Sequence, residues 1–314
     1  MSVAAAPATR VAFTPPDLTP YRAGNTGIPY VTSLIAPAPG PHVMIMALTH
    51  GNEICGAVTL DRLFRRGIRP VRGTLTLAFA NIAAYERFET AQPHRSRFVD
   101  EDFNRLWDVA TLEGPRRSVE LTRARELRPI IDAVDLLLDI HSMTAPSPPL
   151  MLTGLCAKSM ALAQRVGMPE ILMRDAGHAG GTRLRDYGAF GDPDAPNTAL
   201  LIECGEHWRI EAAETAFATS LRFLAATQTI DAPAPAPNQR QRVLEVTHAV
   251  TVAGPDFTFA PSFHGLSVVP KAGTPIARDG GRLVVTPYDD CVIIMPAASV
   301  ERGQTAMRLG RFTD

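Results

Sequence analysis

The chain has 314 residues, of which 46% are hydrophobic and 20% charged. This length suits one large domain plus a small one, and the balance is that of a soluble globular protein. The net charge of -1 gives no reason to expect nucleic acid or an anionic membrane surface as partner.

Residues 1 to about 25 are rich in Ala, Pro and Thr and read as an arm lying on the domain. Gly27 to Ile35 predicts an edge strand, ended by the turn 36–40. The next apolar run, His42 to Leu48, predicts a buried strand that gives way at Thr49-His50-Gly51-Asn52 to a helix reaching about Arg66, stopped by Gly67. Thr74 to Ala80 predicts another buried strand. Pro93 to Asp108 is polar and irregular, a long loop of the kind that carries function. A helix follows over Ser118–Ile131, with Pro129 marking a kink. Asp135 to Ile140 is a buried strand ending in His141-Ser142, and Leu150 to Leu152 starts another. After a helix at Lys158–Val166 comes a second, Gly-rich loop (Arg174–Asp194). Thr198 to Ile202 is one more buried strand, ending in Glu203, and a helix over Ile210–Ala226 closes the region. This alternation argues for helices packed on a mostly parallel sheet.

Asp231 to Asn238 (DAPAPAPN) is an Ala-Pro linker, extended and semi-rigid. Beyond it, short strands at turn-punctuated spacing between Val243 and Leu309 predict a small β-sandwich or barrel. The expected division is a catalytic domain at 1–230, a linker at 231–240 and a β-domain at 241–314 that narrows the cleft. The four cysteines (Cys55, Cys156, Cys204, Cys291) form no C-x-x-C pair and read as reduced thiols. The first residues lack a charged start followed by an apolar core, and no apolar run reaches the roughly 20 residues of a membrane span. The expected location is cytoplasmic.

Three predicted strand ends carry chemistry. His50 and Glu53 sit at one, spaced so that a single turn aims both at one point. A neutral imidazole and a carboxylate can hold zinc at distances of about 2.0–2.2 Å. Such a pair also arises by chance, with the Glu placed at a helix start for the dipole. Its position at the C-terminal end of a buried strand, the crevice of an open α/β sheet, favours function. His141 ends a second strand and supplies the third ligand. Asp139, two residues earlier and on the same face, can hold that imidazole in its tautomer; the alternative pairs it elsewhere. Glu203 ends a third strand. It reads either as a satisfied salt-bridge partner or as the general base for a metal-activated water, with Glu206 and His207 as near competitors. In the loop 97–105, Arg105 with Asn104 suits a substrate carboxylate, and Arg97 suits the oxyanion formed when water attacks a carbonyl. The alternative is a solvated loop whose charges pair with one another.

THGNE, the D-x-N-R form of DFNR, the Asp-x-His of DIHS and a Glu after an apolar strand together resemble the succinylglutamate desuccinylase/aspartoacylase family, within the zinc carboxypeptidase-like metalloenzymes. The resemblance covers roughly residues 20–230. It implies an α/β fold, an α/β/α sandwich with a mixed sheet, and a small C-terminal all-β domain. It implies one Zn2+ per subunit on His50, Glu53 and His141, and Glu203 as the catalytic carboxylate. Arg97 then polarises the scissile carbonyl while Asn104 and Arg105 hold the substrate's α-carboxylate. The family's human-type aspartoacylases place a Tyr and an Arg shortly before the catalytic Glu to recognise the aspartate side chain. Here Arg183, Arg185 and Tyr187 are available at a different spacing, and Tyr288 of the β-domain is a further candidate for the site mouth.

The expected function is a zinc-dependent amidohydrolase that deacylates small N-acyl amino acids, with neither nucleic acid nor membrane as partner and self-association left open. The alternatives are a carboxypeptidase acting on short peptides, with the same metal site, and a non-catalytic binding protein on the same scaffold.

Overall fold

The computed structural model describes residues 11–260, 263–297 and 300–313; the first ten residues of the expected arm lie outside the described ones. In chain order the first half contains β1 (Val31–Ile35), β2 (Ala38–Ala47), α1 (Ile54–Arg65), β3 (Arg72–Phe79), α2 (Ile82–Tyr85), α3 (Val109–Glu113) and α4 (Val119–Ile131). It continues with β4 (Leu136–Met143), β5 (Leu150–Leu152), α5 (Ala157–Val166), β6 (Ile171–Arg174), β7 (Thr198–Glu206) and α6 (Ile210–Ala226).

β2 is buried on both faces, which is why it reads as a continuous apolar run rather than an alternation. Val43, Ile45 and Ala47 enter one core cluster, with Leu60 and Leu63 of α1 and Phe217 and Phe223 of α6. Met44 and Met46 enter the other, with Leu121 and Leu127 of α4 and Trp107. Side chains two apart share a face, so the sheet is sandwiched between α1, α5 and α6 on one side and α4 with the loops around Trp107 on the other. β2 runs parallel to β3 and β4, and β4 parallel to β7; β1 is an antiparallel edge.

α1 ends as its sequence requires, with Gly67 at φ +62° just past the last turn. Ser118 caps α4 by accepting from the Leu121 amide. Pro129 lies inside the last turn of α4. β4 and β7 run further than their apolar patterns, past His141 to Met143 and past Glu203 to Glu206. The ladder explains this: His141 pairs with Glu203, and Glu203 pairs on its other side with Leu150 of β5.

Beyond the linker come β8 (Arg242–Thr251), β9 (Phe257–Phe259), β10 (Val268–Val269), β11 (Pro275–Asp279), β12 (Arg282–Val285), β13 (Cys291–Ile294) and β14 (Thr305–Phe312). β8 pairs parallel with β6, so the central sheet continues as β6-β8-β14-β13-β10 to 11 strands among the described residues. β12, β11 and β9 form a separate three-stranded antiparallel sheet. The fold is thus mixed α/β with a C-terminal β region, and the linker marks a change of composition across which the sheet is continuous. Among the described residues no helix is long and apolar enough to cross a membrane.

Candidate metal centre and active site

β2 ends at Ala47, and the next residue, Leu48, turns the chain sharply before His50 with a φ of +62°. The turn is pressed against α2: a Cβ on Gly51 would lie 2.5 Å from the backbone of Ala84 and Tyr85. From it His50 and Glu53 point inward, where they meet His141 from β4 across a parallel ladder that pairs Met46 with Asp139. The three side chains are buried, and one ligand atom from each lies within 4.8 Å of the others.

His50 Nδ1 is 2.8 Å from Glu53 Oε1, and His141 Nδ1 is 2.9 Å from Glu53 Oε2. Behind the rings, His141 Nε2 is 2.8 Å from Asp139 Oδ2 and His50 Nε2 is 2.9 Å from Asp102 Oδ1. An ionised carboxylate only accepts, so a neutral ring meets the acid behind it by holding its one proton on Nε2, although His50 Nε2 also has Arg97 Nη2 at 2.9 Å. In a neutral ring each Nδ1 then turns a lone pair towards a carboxylate oxygen. Acceptor against acceptor is repulsive unless a proton or a cation lies between them. Two nitrogens and one oxygen that converge in this way, with their outer nitrogens tied to acids, fit a divalent metal ion.

The same field acts on the acids. Burial alone would raise the carboxyl of Glu53, but the charges and hydrogen bonds of His50 and His141 outweigh it and hold it well below the usual range. Burial would likewise raise Asp102, and His50 and Arg97 hold it well down. Glu203 goes the other way. Burial pushes it up to about 8 and Glu53 adds to the rise, against the opposing charges of His141 and Arg97. Its Oε2 is buried with no hydrogen-bond partner among the described residues. Glu203 stands opposite His141 in the ladder, and a carboxyl raised this far can exchange a proton near neutral pH.

Arg97, with a side chain 32% exposed, bonds Asp102 at 3.1 Å and lies 3.5 Å from Glu53. Arg105 reaches Asp102 only at 3.8 Å and donates to the Asn104 carbonyl. Asn104 is buried and accepts from the Leu184 amide, which ties the first long loop to the second.

The structure therefore gathers His50, Glu53, His141, Asp139, Glu203, Arg97 and Arg105 into one neighbourhood. It places the specificity candidates differently. Arg183 is buried between Asp175 (3.0 Å) and Asp186 (2.6 Å). Arg185 is buried against Asp186 and the Thr153 carbonyl. The Tyr187 hydroxyl is taken up by Asp132 and Arg128, on the α4 side of the sheet. Tyr288 bonds Thr247 within the C-terminal strands. The hydroxyls of Tyr187 and Tyr288 are thus committed elsewhere. Glu206 pairs in register with Met143, and His207 is buried against the Ser142 hydroxyl, its imidazole pushed down to about 3 by burial.

Two residues escaped the sequence reading. Asp102 lies inside DFNR, and its role could have been found by asking what stands behind His50. Glu120, fully buried at the start of α4, accepts from the amides of Val99, Asp100 and Glu101 and from the Asn81 side chain. It pins the loop that carries Arg97, Asp102 and Arg105, and nothing in its local sequence announces that.

Comparison with known proteins identifies the family. Residues 39–226 match the model of the succinylglutamate desuccinylase/aspartoacylase catalytic domain. The chain is 29% identical to aspartoacylase of Mus musculus over 126 residues, 37% of this chain and 38% of that one. It is 30% identical to a probable aspartoacylase of Parasynechococcus marenigrum over 172 residues, 52% of this chain and 50% of that one. These matches span between about two fifths and half of the relatives' own lengths. The fold is similar to the crystal structure of succinylglutamate desuccinylase from Vibrio cholerae, with a TM-score of 0.69 at 16% identity over 90% of this chain and 85% of that one.

Proposed function

Because the chain belongs to the succinylglutamate desuccinylase/aspartoacylase family, we propose that it is a zinc-dependent amidohydrolase that splits the amide bond of small N-acyl amino acids. The observation that carries this reading is the convergence of His50, Glu53 and His141 donor atoms within 4.8 Å, beside Glu203. Two imidazoles and a carboxylate suit a catalytic Zn2+ that keeps a position open. When bound, such an ion supplies Lewis-acid polarisation of the scissile carbonyl and acidifies a water.

The rest falls to the chain's own residues. Glu203 takes the proton from the attacking water and passes it to the leaving amine nitrogen, so one carboxyl serves as base and then as acid. Its burial, which favours the protonated form, holds that proton between the two transfers. Arg97 donates to the oxygen that gains negative charge as the carbonyl is attacked. Arg105, with Asn104 beside it, holds the α-carboxylate through its guanidinium fork. Arg308 of β14 pairs with Asp175 of the second long loop at 3.2 Å. A C-terminal strand that reaches this segment favours a narrowed cleft, hence small substrates over polypeptides.

The test is Glu203→Gln against a panel of N-acetyl amino acids and dipeptides, with metal content measured alongside. The variant is expected to keep one zinc per chain while turnover of the acyl amino acids falls about 10²–10⁴-fold. A variant that keeps most of its activity removes Glu203 as the proton carrier. A wild-type protein faster on dipeptides than on acyl amino acids makes it a carboxypeptidase.

A further inference from the structure

An open cavity of about 630 Å³ lies where the loop 97–105 meets the start of α4, and no residue of the proposed centre lines it. Tyr30, Ile82 and Val119 give it apolar walls. Tyr30 is held at φ +62°, a costly setting for a bulky residue and one that gathers at ligand clamps. Four charged side chains line the cavity, and only two of them answer each other. Arg123 pairs with Glu126 at 3.0 Å and also donates to the carbonyls of Pro29, Phe79 and Ala80. Arg117 and Asp100 make no ion pair among the described residues, with each other or with any other group. Asp100 Oδ2 accepts from the Val119 amide at 2.8 Å, and Ser118 accepts from the Leu121 amide. The first turn of α4 is thus already capped, and what the cavity offers a ligand is two opposite charges beside apolar walls.

A guanidinium grips a carboxylate through its fork, and a carboxylate accepts strongly from an ammonium. One unpaired cation and one unpaired anion therefore fit a molecule that carries both charges on an apolar body. A free α-amino acid with an apolar side chain is such a molecule. The cavity also touches the support of the proposed centre. The amides of Val99, Asp100 and Glu101 rest on Glu120, which accepts as well from Asn81, itself a lining residue. Two residues beyond Asp100, Asp102 holds His50 at 2.9 Å and Arg97 at 3.1 Å. A load on Asp100 thus falls on the loop that orients a metal ligand and the proposed oxyanion donor.

We propose that this cavity is a regulatory site for a free apolar amino acid, with Arg117 taking its carboxylate and Asp100 its ammonium. That the ligand is a product of the reaction rests on the deacylase reading above; the site itself does not. The ammonium exists only once the amide bond is split, so Asp100 separates product from N-acyl substrate. A ligand that draws Asp100 towards Arg117 draws it from the Val119 amide and loosens the loop. Accumulated product then raises KM from a place other than the metal.

Calorimetry on the zinc-loaded protein tests the site without turnover, with L-leucine and L-phenylalanine as probes. At least one is expected to bind. For L-leucine, isocaproate lacks the ammonium and isoamylamine lacks the carboxylate, and each is expected to bind about 5–10-fold more weakly. Arg117→Gln and Asp100→Asn are expected to weaken the amino acid by a similar factor. Both residues are exposed, and Asn keeps an oxygen for the Val119 amide, so the fold is expected to survive; thermal melting checks it. Arg105→Met is expected to leave this binding in place, which separates the cavity from the metal centre. In hydrolysis of N-acetyl-L-leucine, read by released acetate, the bound amino acid is expected to raise KM at least about fivefold in the wild type. Arg117→Gln is expected to match the wild type without the amino acid and to ignore it when added. No binding of either probe, binding that survives either cavity substitution, or binding that leaves KM unchanged overturns the proposal. If no acyl amino acid is hydrolysed, the deacylase reading fails, and the calorimetric arm still decides whether the cavity takes an amino acid.

Discussion

His50 and His141 offer the same ring atom to the same point, and each is backed by an acid, Asp102 or Asp139. These acids fix which nitrogen keeps its proton and which way the ring faces, and losing such support commonly weakens metal binding about 10–100-fold. Asp102→Asn and Asp139→Asn are therefore both expected to loosen zinc by about that factor, read by competition with a chromophoric chelator. The two should differ in kinetics. Among the described residues Asp139 bonds only His141 and the Thr49 hydroxyl, whereas Asp102 also restrains Arg97 and Arg105. Only Asp102→Asn should raise KM once zinc is saturating. Identical kinetics for the two variants at saturating metal would remove Asp102 from the substrate side of the site.

At the scale of elements, the site is a matter of register. Asp139 falls beside Met46 and His141 beside Glu203, so strand order sets the metal ligands next to the proposed base before any side chain adjusts. This much was legible in the sequence, because a polar residue at the end of an apolar run stands out and parallel strands end together at one edge. What was not legible depends on partners distant in sequence. Glu120 looks like an ordinary surface acid in the first turn of a helix, where the dipole favours it. Its burial beneath three loop amides follows only from how α4 packs on loop 97–105. Arg183 and Tyr187 looked free because their acids, Asp175 and Asp132, belong to other segments. Glu120→Gln gives the carboxyl site an NH2 that faces N–H donors. It is expected to cost about 1–3 kcal/mol in urea unfolding and to raise KM more than it lowers kcat, since the loop carrying Arg105 loses its anchor. A variant with wild-type KM would show that the loop is held by other contacts.

Over the whole molecule, composition suggested two bodies joined by an Ala-Pro linker, and the strands say more. Past the linker β8 joins β6 in parallel, a long-range pairing that no local pattern can reveal. β14, which carries Arg308, was missed altogether, since a mid-strand Arg and Gly310 break its apolar pattern. One core cluster crosses the division, with Met143, Leu150, Met173 and Leu201 packed among Leu244, Val292 and Ile294. A core shared across a continuous sheet should melt as one unit. Both tryptophans, Trp107 and Trp208, lie before the linker, so their fluorescence reports the first region alone while far-UV circular dichroism reports both. The two signals are expected to trace a single coincident transition in urea. An earlier transition in circular dichroism, with fluorescence unchanged, would mean that the C-terminal strands detach first. The cleft would then depend on a docking equilibrium rather than on a fixed wall, and the preference for small acyl amino acids over peptides would fade at denaturant concentrations where hydrolysis persists.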